Sequence, residues 1–185
     1  MRTRALWIVA AAIAVLAWAL AHPHRGGEQV ASGEGGPGAS AARDTGRAET
    51  VSLRLFYASP GGDSLIGETR ATTIRTGLHG RVEGLVRELV RGARRGGVPL
   101  LPPGTAVRHV YLDHRGLMTL DLTPAIRDRF HGGSTAEYFA VASLVRTLLV
   151  NVPEARSVRL ACAGEPLETL GGHFACDRPF DLTDF

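Results

Sequence analysis

Three groups of side chains in this sequence are of types that carry chemistry. Cys162 and Cys176 are the only two cysteines. In an oxidising compartment an even pair favours a disulfide. The loop it would close is about 15 residues, worth ~3 kcal/mol in a chain-entropy account. The alternative is two unpaired thiols, with Cys162 buried in a strand. A zinc site would need His173 and further ligands at suitable spacing. A nucleophilic Cys162 would need a base beside it. The sequence specifies neither, so no metal site is expected.

The second group is Gly132, Gly133 and Ser134, which open a helix. Free N–H groups at a helix start can hold an anion. These three are therefore the candidate ligand-binding residues. The competing reading is a capping box, Ser134-Thr-Ala-Glu137. In that arrangement the hydroxyl caps the helix and the carboxylate reaches back to it. The glycines are then expected to supply positive φ before the helix. A serine nucleophile would sit in a G-x-S-x-G elbow, which is absent.

The third group is Asp121, His131 and Glu137. Two carboxylates and an imidazole in one cleft are what a small cell-wall (peptidoglycan) hydrolase would use for acid–base work. The plainer reading of Asp121 is a turn or cap residue, since Thr123-Pro124 follows the strand end. Within the expected fold no two histidines stand at H-x-H or H-x-x-x-H spacing, and His22 and His24 read as solvated. No P-loop, dinucleotide fingerprint or calcium loop occurs. No catalytic residue is assigned and no cofactor is expected.

The elements that must position these groups follow from hydrophobic period. Residues 51–57 alternate and read as a strand. Ser59-Pro-Gly-Gly-Asp63 is a turn, and residues 64–74 are a second extended segment. Val82, Leu85, Val86, Leu89 and Val90 make one stripe on a helix over about 79–94. Glu83 and Arg87 lie on its wet side. Arg91, Arg94 and Arg95 suit the C-terminal end of the helix dipole. A Gly/Pro loop then leads to strands 106–112 and 117–122, joined by an Asp113-His-Arg-Gly116 turn. Met118, Leu120 and Leu122 face one side of the second strand. A short helix starts at Thr123-Pro124. A long helix, 135–150, carries Tyr138, Val141, Ala142, Val145, Leu148 and Leu149, widened by Phe139 and Leu144. Residues 157–163 are a strand, Gly164-Glu-Pro166 a turn, and 167–170 the pairing strand. The tail from 171 reads as irregular.

The chain has 185 residues and a formal net charge of +3. All 21 of its cations are Arg. With so small a surplus and 6% aromatics, neither a phosphate-binding surface nor a base-stacking one is expected, so nucleic acid is excluded as a partner. Residues 5–21 carry no charge and have no polar face. They read as a transmembrane anchor or a signal peptide, with Ala19-Leu20-Ala21 as a possible cleavage site. Arg2 and Arg4 would stay inside, which puts the rest of the chain outside the cytoplasm. Residues 22–49 are rich in Gly and Ala and read as a flexible linker spanning roughly 30 Å. The folded domain is expected over 50–185, large enough for one core.

The order of four stretches resembles a known module. They are Leu85-Val-Arg-Glu-Leu-Val90 running into Leu100-Leu-Pro-Pro-Gly-Thr105, then Leu120-Asp-Leu-Thr123, then Gly132-Gly-Ser-Thr-Ala-Glu137. The last is Ala155-Arg-Ser-Val-Arg-Leu160 with Leu167-Glu-Thr-Leu-Gly-Gly172. Together they are similar to the GerMN domain of spore-associated and envelope proteins, over about residues 51–180. The resemblance implies an α+β fold, a mixed two-layer sandwich of mostly antiparallel strands with two main helices. It implies a domain outside the cytoplasm that binds or assembles, with no catalytic residues to carry over. This sequence departs from many members in having one copy, no lipidated cysteine, and two cysteines near its C-terminal end. The expected function is a membrane-tethered extracytoplasmic module of the cell envelope. Its expected partner is another envelope protein, a copy of itself, or cell-wall glycan.

Overall fold

Alternation of Leu53, Leu55 and Tyr57 with Ser52, Arg54 and Phe56 builds β1 (Ala48–Ala58), which pairs antiparallel with β2 (Leu65–Arg75). This was obtained as a computed structural model, which describes residues 47–185. The expected anchor or signal over 1–21 and linker residues 22–46 lie outside the described residues. Leu53, Leu55 and Tyr57 are buried, and Phe56 and Ala58 on the other face are buried too. The intervening turn is drawn tight by Asp63, whose Oδ1 accepts from the hydroxyls of Ser59 (2.6 Å) and Ser64 (3.0 Å).

Helix α1 (Gly77–Arg91) buries the stripe Val82, Leu85, Val86 and Leu89. Gly84 weakens the helix intrinsically, but a Cβ there would collide with Ile74, so the glycine lets the helix lie close on β2. The helix ends three residues before the expected boundary, at Gly92, whose φ of 89° favours glycine.

Strands β3 (Val107–Leu112) and β4 (Leu117–Leu122) form the expected hairpin. Met118, Leu120 and Leu122 are fully buried. After α2 (Ala125–Asp128) and α3 (Ser134–Asn151), β5 (Ser157–Cys162) returns parallel to β4. The second sheet has the order β3-β4-β5-β6, with β6 only Glu165–Pro166. The expected pairing strand at 167–170 is thus displaced. Ala163 (φ 56°) and Gly164 (φ 91°) make a two-residue turn, so the return strand starts earlier. Leu167 and Leu170 then turn into the core. Further along, Phe180 exchanges backbone bonds with Val158 (2.8 and 2.9 Å), on the edge of β5 that β6 does not cover. The architecture is α+β, mostly antiparallel, with both long helices packed on both sheets and on each other.

Two polar devices hold the β1–β2 hairpin. On one side, α3 closes the open edge of β1 with side chains. Asn151 accepts from Arg54 N (2.9 Å) and donates to Arg54 O (2.7 Å); Thr147 accepts from Phe56 N (3.0 Å), and Ser143 donates to Phe56 O. Four residues along a helix rise about 6 Å, close to the roughly 6.6 Å of two strand residues. Thr147 and Asn151 therefore match Phe56 and Arg54. On the other side, Arg70 is buried between Glu68 and Glu88, with ion pairs of 2.7 Å to each. Its guanidinium also donates to Gly92 O (3.0 Å). Arg94 and Arg95 act here through their backbone N–H groups, which donate to Glu68 (2.8 and 3.3 Å), and Arg91 pairs with Glu88 (2.8 Å).

Burial pushes the Glu68 and Glu88 carboxyls up, but Arg70 and the neighbouring donors outweigh it and hold both below the usual carboxylate range. Their contribution is complete above that range and is lost as pH falls through the depressed values. Arg70→Ala leaves Glu68 buried without its cation and Glu88 with only the exposed Arg91, an expected loss of about 3–5 kcal/mol at neutral pH. Urea unfolding at pH 7 and pH 4 checks this, and the difference between native and variant should shrink on acidification.

Candidate functional site

At the head of α3 the structure places the expected ligand residues in three different roles. Gly133 is the cap residue with φ −81°, and its carbonyl accepts the Glu137 N–H at 2.9 Å. Gly132 is not in the left-handed region either, so the expected positive φ is absent from both. Gly132 is small for packing, since a Cβ would fall 2.6 Å from the Ala136 Cβ and 2.8 Å from the Phe130 ring. Ser134 is exposed, is the first helical residue, and makes no side-chain cap. The capping box is not formed because its carboxylate is used elsewhere.

Glu137 points inward and is fully buried. Its Oε1 accepts from Leu170 N at 2.7 Å, and its Oε2 accepts from His173 N at 2.9 Å. The His173 ring Nδ1 lies 3.2 Å from the same Oε2. Gly171 passes so close that a Cβ would sit 3.3 Å from Oε2. Burial pushes this carboxyl up, but the N–H groups of Gly171, His173, Leu170 and Phe174 prevail and hold it below the usual range. Nothing in the spacing of residues 137 and 173 signals this pairing.

Asp121 is buried as well, accepting from Arg108 Nη1 on Oδ2 (2.9 Å) and from Gly164 N on Oδ1 (2.9 Å). It ties β3 and β4 to the β5–β6 turn, a tertiary version of the expected turn role. His131 is exposed, and among the described residues no hydrogen bond joins it to either carboxylate. The structure therefore does not assemble Asp121, His131 and Glu137 into one constellation.

The expected bridge between Cys162 and Cys176 is likewise not formed; both are free and buried. The two thiols have different surroundings. Cys162, at the end of β5, faces Thr123 O at 4.0 Å, whereas Cys176 donates to Phe174 O at 3.5 Å. Burial pushes both thiols up, Cys176 to about 12 with help from the Glu137 and Asp177 charges. Among the described residues no group of three or more His, Cys, Asp and Glu could hold a metal ion.

What the fold leaves open is a cleft of about 500 Å³ between the hairpin and α3. Arg54 and Phe56 come from β1, Asp63 from the turn, and Tyr138 and Arg146 from α3; Phe185 closes one end. The guanidinium carbons of Arg54 and Arg146 lie 5.6 and 5.3 Å from the centre of the Phe56 ring, within cation–π range. Arg146 Nη1 donates to the backbone oxygen of Phe185 at 2.8 Å. Tyr138 stacks edge-on with Phe139 and Phe174, and Phe185 lies tilted against it. Sequence reasoning missed this cleft. Its residues come from four separate segments, and alternation marks Arg54 and Phe56 only as strand positions.

The family model described as "Sporulation and spore germination", Germane, matches residues 54–168, more than half of the chain. The chain belongs to the Germane family. All of β1 from Arg54 onward, α1, α3 and both β-hairpins of the second sheet fall within the Germane match. This Germane domain is similar in fold to the tandem GerMN domains of the sporulation protein GerM from Bacillus subtilis. The TM-score is 0.57 at 19% identity, covering 74% of this chain and 48% of that one. It is also similar to the first GerMN domain of the same protein, with TM-score 0.52 at 19% identity over 73% and 100% of the two chains. The chain thus spans about half of the tandem protein and the whole of its single domain. No curated protein matches it.

Two outcomes follow from this geometry. Glu137→Gln places an amide NH2 among N–H donors and should cost about 1.5–3 kcal/mol at pH 7. The native contribution is lost as pH falls through the depressed Glu137 value, so the gap in urea midpoint should narrow in acid. Alkylation and mass measurement of the denatured, unreduced protein should count two free thiols, while the folded protein should react slowly at both.

Proposed function

We propose that this chain is a membrane-tethered extracytoplasmic binding or assembly module of the cell envelope. The cleft between the β1–β2 hairpin and α3 is its binding surface. One observation carries the reading. The Asp121 and Glu137 carboxylates are consumed by the framework, whereas the guanidiniums of Arg54 and Arg146 line an open cleft of about 500 Å³. A volume of this order suits a small ligand or the end of a larger one. The head of α3, with Gly132, Gly133 and Ser134, lies one turn before Tyr138 and lets a bound partner extend beyond the cleft. The family description, sporulation and spore germination, agrees with an envelope setting. So does the uncharged run over residues 5–21, followed by a Gly/Ala-rich linker. The partner on this reading is another envelope protein, a second copy, or cell-wall glycan.

A single thiol introduced as Ser40→Cys tests the setting, because Cys162 and Cys176 are buried. A membrane-impermeant maleimide should label it in intact cells, and labelling only after permeabilisation overturns the topology. Incubation of the purified full chain with peptidoglycan should release no soluble fragments. Release that vanishes in Asp121→Ala would replace the binding role with a hydrolase.

A further inference from the structure

We propose that the open edge of β3 takes up an extended, uncharged segment of another protein as an added strand. Two apolar side chains of that segment, four residues apart, enter hollows beside α1. This surface shares no residue with the cleft between the hairpin and α3, and it stands or falls independently of that cleft.

β3 is the end strand of its sheet. In an antiparallel pair, bonded and unbonded positions alternate. The bond from Asp113 N to Leu117 O (3.0 Å) sets the phase. Tyr111 and Thr119 therefore exchange bonds, and the N–H and C=O groups of Val110 and Leu112 point away from β4. Among the described residues no hydrogen bond meets these four groups. Elsewhere the fold closes its edges: side chains of α3 cover β1, and β6 and Phe180 cover β5. Proline, inward charge or a bulge normally blunts an edge left open. The bulge at Arg108 blunts only the start of β3, and Val110, Tyr111 and Leu112 carry neither charge nor proline. Donors and acceptors at two-residue spacing are matched by the main chain of another strand.

Two hollows, of about 260 and 280 Å³, lie between β3 and α1. Val86, Val90 and Val107 line the first, at the start of β3; Leu78, Leu112 and Val152 line the second, at its end. The bulge adds one residue to β3, so Val107 and Leu112 turn to the same side. A partner without a bulge spans the same stretch in four steps, roughly 13 Å. Its residues i and i+4 share a face and meet the two hollows. Thr105, in the first hollow, is only 5% exposed, and its Oγ1 has no hydrogen-bond partner among the described residues. A buried hydroxyl is ordinarily satisfied, and a main-chain group of the added strand is the partner it lacks.

Charge and area decide the occupant. Glu83 and Arg87 flank the first hollow, Arg81 and Glu154 the second, and Arg91 is paired with Glu88. The signs balance, so a charged segment gains nothing over an apolar one. A contact one strand wide and roughly 13 Å long falls well short of the roughly 800 Å² per partner that stable interfaces between folded proteins bury. A short extended segment is favoured over a second copy on that ground.

The probe is the N-acetylated, C-amidated heptapeptide Ser-Leu-Thr-Val-Thr-Leu-Ser, titrated calorimetrically into the full chain in detergent micelles. Two isomers, N-methylated at both leucines or at both threonines, partition alike into micelles but block opposite edges of the strand. One isomer should lose at least about tenfold in affinity and the other should bind as the parent does. Amide exchange at Val110 and Leu112, followed by NMR, should slow at least about tenfold at saturation. Val110→Pro removes an outward N–H and spares the bonds to β4, so it should weaken binding. Val90→Glu places a charge in the first hollow and should weaken it too, which keeps the test valid if the proline loosens β3. Thr105→Val should weaken binding without lowering the melting temperature. Equal affinity of the two isomers overturns the proposal, as does unchanged exchange at Val110 and Leu112, or unchanged affinity in Val90→Glu. Absence of binding at millimolar heptapeptide overturns it as well. Dimerisation of the free chain that protects the same amides, seen by sedimentation, overturns it in favour of a second copy.

Discussion

A carboxylate removed from water must recover its hydration from the protein, and Glu137 recovers it from the main chain of the segment 170–174. That exchange turns an irregular tail into part of the core. Leu170 follows the carboxylate inward, and Phe174 packs on Tyr138 and Phe180. Phe180 then takes up the free edge of β5, and Phe185 reaches the cleft. One charge at the first turn of α3 therefore organises the segment after β6 and, through it, one wall of the cleft. A buried charge left without its donors is far more costly than the same charge with them, so these contacts form together.

Helix α3 does three jobs with three sets of side chains. Its apolar residues fill the core. Ser143, Thr147 and Asn151 satisfy the outer edge of β1, which would otherwise be a template for another strand. Tyr138 and Arg146 face the cleft. The buried trio Glu68–Arg70–Glu88 anchors the hairpin to α1 from the other side. With the hairpin held from both directions, Arg54 and Phe56 are presented on a fixed strand, which is the condition for a preorganised site.

Much of this fold is legible from period alone. The alternation of Leu53, Leu55 and Tyr57, the stripe from Val82 to Leu89, and the Met118, Leu120, Leu122 face each predict the element observed, because burial of one face imposes its repeat on the residues. The misreadings share a cause. Ser134 and Glu137 fit a capping box in sequence, yet the nearest donors to a carboxylate facing inward are 33 residues away. Residues 167–170 have strand-like composition, but the tight Ala163–Gly164 turn starts the return at Glu165, and the last bond to β5 is Leu167 N to Leu160 O. The two cysteines suit a bridge by count and spacing, and their side chains face different neighbours.

The sequence by itself determined the main element types, the apolar faces and the family resemblance. These are local properties, set by composition and by the 2.0 and 3.6 residue periods. Only the tertiary structure decided the partners of the polar groups: Arg70 with Glu88, Asp121 with Gly164, and Glu137 with Leu170 and His173. A buried polar group must be satisfied, but nearly any donor that arrives will satisfy it. Chain topology, not residue type, settles which donor that is.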